Sequence, residues 1–78
     1  MYSETRQEIT DLVANYFLLP ASSVQLDSRL VDDLGADSLE ILEITLALND
    51  RFAIELPENE LSSVRTVGDL CQMVAKLI

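Results

Sequence analysis

The stretch Gly35-Ala36-Asp37-Ser38-Leu39-Glu40-Ile41-Leu42-Glu43-Ile44-Thr45-Leu46-Ala47-Leu48-Asn49-Asp50-Arg51-Phe52 reads as one amphipathic helix with its start signal attached. Asp37 suits the N-cap, because its carboxylate can accept the N–H three residues on. Glu40 stands where a side chain can return the bond to the cap. Gly35 supplies a flexible entry just before, and Ser38 falls at the first helical position. Ile41, Ile44, Leu48 and Phe52, with Thr45 beside them, form one apolar stripe, which is all that a core-facing helix needs. Leu39, Leu42 and Leu46 form a second, far round the helix and flanked by Glu40, Glu43 and Asp50. A domain this small cannot easily bury both. An exposed apolar strip with an acidic rim has the character of a partner-binding surface; a central helix packed on two sides is the alternative.

Working outward, Thr5 with Glu8 makes a second capping pattern, and Ser3 could also cap. Ile9, Leu12, Val13, Tyr16 and Phe17 follow at helical spacing. Pro20 to Ala36 is a long connection. Its Val24, Leu26, Leu30, Val31 and Leu34 suggest that it packs across the other elements. Pro57 opens a short helix as its first residue, with Leu61 and Val64 facing inward. Thr66, with Asp69 three residues later, caps a last helix whose buried stripe is Val67, Leu70, Cys71, Val74 and Leu77. The expected fold is all-α: a small four-helix bundle, three helices long and one short, with a long loop between the first and second.

At 78 residues the chain makes one domain. Two glycines and two prolines leave little turn chemistry for an all-β meander. The net charge of −9 is concentrated: Asp32 to Glu60 holds nine acids and a single base, Arg51. That sign argues against nucleic acid and against docking on anionic lipid, and it suits basic protein partners. No apolar run reaches membrane-spanning length, and the N-terminus lacks the basic-then-apolar layout of a signal peptide. A cytoplasmic setting without membrane insertion is the expectation. Cys71 is the only cysteine, on an apolar stripe with no flanking cation, and reads as an inert buried thiol. The acid spacing fails the EF-hand pattern, so no metal site is expected.

Asp33-Leu34-Gly35-Ala36-Asp37-Ser38-Leu39-Glu40 closely resembles the phosphopantetheine-attachment motif of acyl carrier proteins. The likeness extends over length, acidity, Phe52, the Leu56-Pro57 step and the Thr66-Val67 helix start, implying one acyl carrier domain over residues 1–78. It implies that a phosphopantetheinyl transferase moves 4′-phosphopantetheine from coenzyme A onto Ser38. The arm would then carry acyl groups as thioesters in fatty acid or related lipid or polyketide biosynthesis. By the same resemblance Asp37 helps to present Ser38 to the transferase. Leu39, Leu42 and Leu46 dock partner enzymes, and Glu40, Glu43, Asp50, Glu58 and Glu60 meet their basic side chains. A monomer is implied, with the acyl chain sheltering between helices. Asn49, Thr45 and Arg65 depart from the usual fatty-acid carrier and leave a specialised pathway open.

Gly-Ala-Asp-Ser-Leu also invites comparison with Gly-Asp-Ser-Leu hydrolases, but Ala36 interrupts the match. With no histidine in the chain, no Ser-His-Asp triad can form, and a non-catalytic role is expected. The remaining rivals are an unmodified acidic interaction module, which would not need the Ser38 hydroxyl, and a peptidyl or aryl carrier, which shares the arm but not the cargo.

Overall fold

Two reciprocal capping boxes set the frame. The computed structural model describes residues 2–78, with side chains from Glu4 onward. Within it Asp37 Oδ1 accepts from the Glu40 N–H at 2.8 Å, and the Asp37 N–H donates to Glu40 Oε1 at 3.0 Å. Thr66 and Asp69 exchange the equivalent bonds at the last helix, each 3.1 Å long. Helix α1 spans Tyr2–Tyr16, α2 Ser38–Phe52 and α3 Val67–Ala75. A 3-10 helix, Glu58–Ser63, is the short fourth member, and a single 3-10 turn, Ala21–Ser23, lies in the long loop. The described residues contain no β-strand, only an isolated bridge between Arg29 and Thr66. The all-α bundle with its long first connection is therefore the observed architecture.

The core gathers Ile9 and Val13 from α1, Ile44 and Leu48 from α2, and Val67, Leu70, Cys71 and Val74 from α3, all essentially inaccessible. Complete burial of such a side chain is worth about 1.5–3 kcal/mol. The long loop does pack across the helices, through Val24, Leu30 and Ala36, while Leu26 and Val31 stay exposed. It is fastened to the start of α3 by backbone bonds, Leu30 N–H to Arg65 O, Val67 N–H to Ser28 O and Gly68 N–H to Leu26 O, at 2.8–3.0 Å. Gly68 permits that approach, because a Cβ there would stand 3.0 Å from the Leu26 carbonyl oxygen.

Several boundaries differ from those expected. Helix α1 is already running at Tyr2, so Thr5 is not a cap; it is buried four residues before Ile9, on the inward face. The alternative cap, Ser3, has its side chain outside the described residues. Tyr16, expected on the buried stripe, ends α1 partly exposed. Pro57 caps the short helix from outside it, extended at φ −70° and ψ 123°, and that helix is 3-10. Leu61 is only half-buried, Val64 is buried just past the helix end, and six mostly polar residues offer little to hold a wider α turn. Leu77 is exposed because α3 stops at Ala75.

Candidate functional site

The approach to α2 is built from short-range bonds. Asp33 Oδ2 accepts the Arg29 N–H at 2.8 Å, and the Arg29 guanidinium lies 3.6 Å from the same carboxylate. These contacts, the backbone N–H bond foremost, hold the Asp33 carboxyl below the usual range. Gly35 adopts a left-handed φ of +73°, open only to a residue without Cβ at little cost. The reversal lets the Ala36 N–H reach back to the Leu30 carbonyl at 2.8 Å, burying Ala36 and delivering Asp37 to the cap.

Ser38 follows, exposed, on the first turn of α2. Among the described residues its hydroxyl makes no hydrogen bond, and the backbone N–H groups of Ser38 and Leu39 have no partner. Asp37 satisfies the next two donors, Glu40 N–H through its side chain and Ile41 N–H through its carbonyl, 3.0 Å away. An accessible hydroxyl at the positive end of a helix is a fitting attachment point for a phosphate group. The described residues hold no cluster of acids and cysteine arranged to bind a metal ion.

The outer face of α2 divides in a way its spacing does not show. Leu39 is 63% exposed and Leu46 53%, whereas Leu42 between them is half-buried. The connection after α2 is the reason. Leu56 N–H donates to Asn49 Oδ1 at 2.9 Å, drawing residues 55–58 alongside the helix. A cavity of about 370 Å³ remains there, with Leu42, Thr45, Leu46, Asn49 and Glu58 in its wall. Thr45 lies on the inward face, its hydroxyl donating to the Ile41 carbonyl at 2.8 Å.

The acids are not equivalent either. Glu40 is committed to the cap, and Glu43 accepts the hydroxyl of Tyr16 on α1. Asp50 and Glu58 are exposed and form no ion pair among the described residues. Glu60 faces a different cavity, of about 190 Å³, between the 3-10 helix and α3, and so lies apart from the others. Arg51 pairs with Glu8 of α1 at 2.5 Å. Sequence reading missed the bond between Tyr16 and Glu43, because the two are 27 positions apart and Tyr16 read only as the end of a stripe.

A family model described as phosphopantetheine attachment site matches residues 7–74. Among curated relatives, the acyl carrier protein of Clostridium acetobutylicum is 37% identical over 68 residues, covering 87% of this chain and 88% of its own. That of Syntrophobacter fumaroxidans is 38% identical, covering 88% and 85%. That of Campylobacter hominis is 32% identical, covering 95% and 94%. The chain belongs to the acyl carrier protein family. Its members carry 4′-phosphopantetheine and are carriers rather than catalysts, so the partners of this acyl carrier are enzymes that process its acyl cargo. Cys71 takes no visible part: it is buried, and burial pushes its thiol up, against a smaller opposing pull from Arg6. Arg6 is a nearby cation that the sequence alone did not bring to this cysteine. No described helix is long and apolar enough to cross a membrane.

Proposed function

We propose that Ser38 is the residue that bears the arm, and that the loaded chain acts as a monomeric cytoplasmic carrier in fatty acid or related lipid or polyketide biosynthesis. The observation carrying this is the Ser38 hydroxyl itself, exposed and unbonded among the described residues on the first turn of α2. In the loading step a phosphopantetheinyl transferase removes the proton from Ser38 Oγ, and a new Oγ–P bond replaces the pyrophosphate linkage of coenzyme A. Adenosine 3′,5′-bisphosphate leaves, and the product is a phosphodiester. When bound, the arm supplies a terminal thiol on which acyl groups travel as thioesters.

Asp37 fixes the backbone that carries Ser38, and its second carboxylate oxygen remains for the transferase. Partner enzymes dock on Leu39, Leu42 and Leu46, apolar anchors of the kind that often supply much of the binding energy at an interface. Glu40, Glu43, Asp50, Glu58 and Glu60 steer basic surfaces towards them. Glu60, around the corner towards α3, contributes at long range only. The test is the intact mass of the protein after incubation with coenzyme A and a phosphopantetheinyl transferase. Wild type should gain one phosphopantetheine unit, while Ser38→Ala should fold normally and gain none. Modification of the alanine variant would sink the assignment, as would a wild type that stays unmodified.

A further inference from the structure

Tyr16, the last residue of α1, is 37% exposed, and its ring meets Phe17 edge-on at 5.2 Å between centroids. Its hydroxyl reaches across to α2 and donates to Glu43 Oε1. The charges of Glu43, Glu40 and Asp37 all bear on that hydroxyl, so it stands in the field of the first turns of α2. The bond to Glu43 is the largest influence, and together they push the phenol up to about 12. Tyr16 is therefore a neutral donor at any physiological pH. Glu43 Oε2 has no partner among the described residues.

We propose that Tyr16 is a positioning residue for partner docking: by holding one oxygen of Glu43 it fixes the carboxylate for a lysine or arginine of the incoming enzyme, and its ring extends the interface from α2 onto the end of α1. The inference rests on the docking reading given above. Its physical basis is preorganisation. A free glutamate on a helix surface loses rotamer freedom when it engages a partner's cation, and one already tethered loses less. The tether keeps the charge, because a phenol hydrogen bond leaves the carboxylate ionised. The occupant is a basic protein surface on grounds of charge: Glu43 lies on the helix that also carries Asp50, with exposed Glu58 just beyond, and the one base of the stretch, Arg51, is engaged by Glu8. The exposed ring can also lie against an arriving guanidinium.

The experiment uses full-length protein and a phosphopantetheinyl transferase with coenzyme A. KM and kcat for the carrier are measured for wild type, Tyr16→Phe, Glu43→Gln and the double variant, well below their unfolding midpoints. Phenylalanine keeps the ring and its contact with Phe17 and removes only the tether. Alkaline absorbance titration checks the tether in the Glu43→Gln variant, where the Tyr16 phenolate step should fall back from about 12 towards the ordinary value. Tyr16→Phe should raise KM about three- to tenfold, the reach of one immobilised side chain, with kcat unchanged. In the Glu43→Gln background the same change should do nothing further. Equal effects in both backgrounds would overturn the proposal, as would no effect or a lowered KM, which would make the hydroxyl a mask over Glu43. A wild type that accepts no arm would instead defeat the carrier assignment of Ser38, and this inference with it.

Discussion

Replacing Leu48 and Leu39 in turn by alanine separates the two faces of α2. Leu48 is wholly inaccessible within the core. Truncation removes its transfer energy and leaves a cavity, a loss of about 3–5 kcal/mol at a site so enclosed. A 78-residue domain has roughly 4–12 kcal/mol of total stability. Leu48→Ala should therefore remove much of it and lower Tm by about 18–30 °C. Leu39, 63% exposed, keeps only a third of its surface from water. Its truncation opens no enclosed space and should cost under about 1 kcal/mol. Leu42, half-buried against the cavity wall, should fall between, at roughly 1–2 kcal/mol, more than a purely outer position would lose. Urea melts give the stabilities, with an unchanged m-value as the sign that the denatured state is comparable. Transferase kinetics on the same samples should show the reverse order, with Leu39→Ala and Leu42→Ala raising KM. If Leu39→Ala unfolds the domain as readily as Leu48→Ala, the outer face is packed and both the burial pattern and the docking surface are wrong.

Two further outcomes are expected. Ala53 ends α2 at φ 53° and ψ 47°, a left-handed conformation that costs an alanine roughly 1–2 kcal/mol. Ala53→Gly should give a net gain of about 0.5–1 kcal/mol once the freer unfolded chain is counted, and a loss in thermal melts would contradict that helix ending. Asp69 Oδ2 accepts the N–H groups of Arg65 and Thr66 at 2.9 and 3.1 Å, which hold its carboxyl below the usual value of 3.8, the Arg65 bond foremost. A carboxyl lowered by folding stabilises the native state above its unfolded pKa, and that contribution disappears as pH falls through the folded one. Wild type should thus lose stability below about pH 4 more steeply than Asp69→Asn, and parallel urea midpoints across pH 5 to 2 would refute the bonding.

What the sequence disclosed was local. Asp37 with Glu40, and Thr66 with Asp69, are three positions apart, and a capping box needs nothing beyond that span. The same rule misleads at Thr5 and Glu8. There the spacing is right, but a threonine four residues before Ile9 also fits an inward helical face, and the core took it. The division of the outer stripe depends on residues 55–58 lying along α2, which follows from the Asn49 bond to Leu56 and not from any periodicity. Tyr16 with Glu43, and Gly68 under Leu26, are contacts across 27 and 42 positions. A composition or a wheel projection cannot reach them.

The same distinction bears on how Ser38 can be handled. Its place is held by short-range bonds, Arg29 with Asp33, Leu30 with Ala36 and Asp37 with Glu40, and by the packing of Leu30 and Ala36 in the core. The hydrophobic core is held by packing between segments far apart in sequence. A disturbance of the core, as by Leu48→Ala, therefore reaches the first turn of α2 through Leu30 and Ala36, while the Asp37–Glu40 cap bonds stay local. The Ser38 hydroxyl itself takes part in neither set of contacts among the described residues, so its removal should leave cap and core intact. Loss of the arm in Ser38→Ala then reports the missing oxygen rather than a damaged helix. On the outer face of α2, Leu42 stands between the proposed partner surface and the packed interior. A variant there will mix docking with stability, whereas Leu39 keeps the two apart.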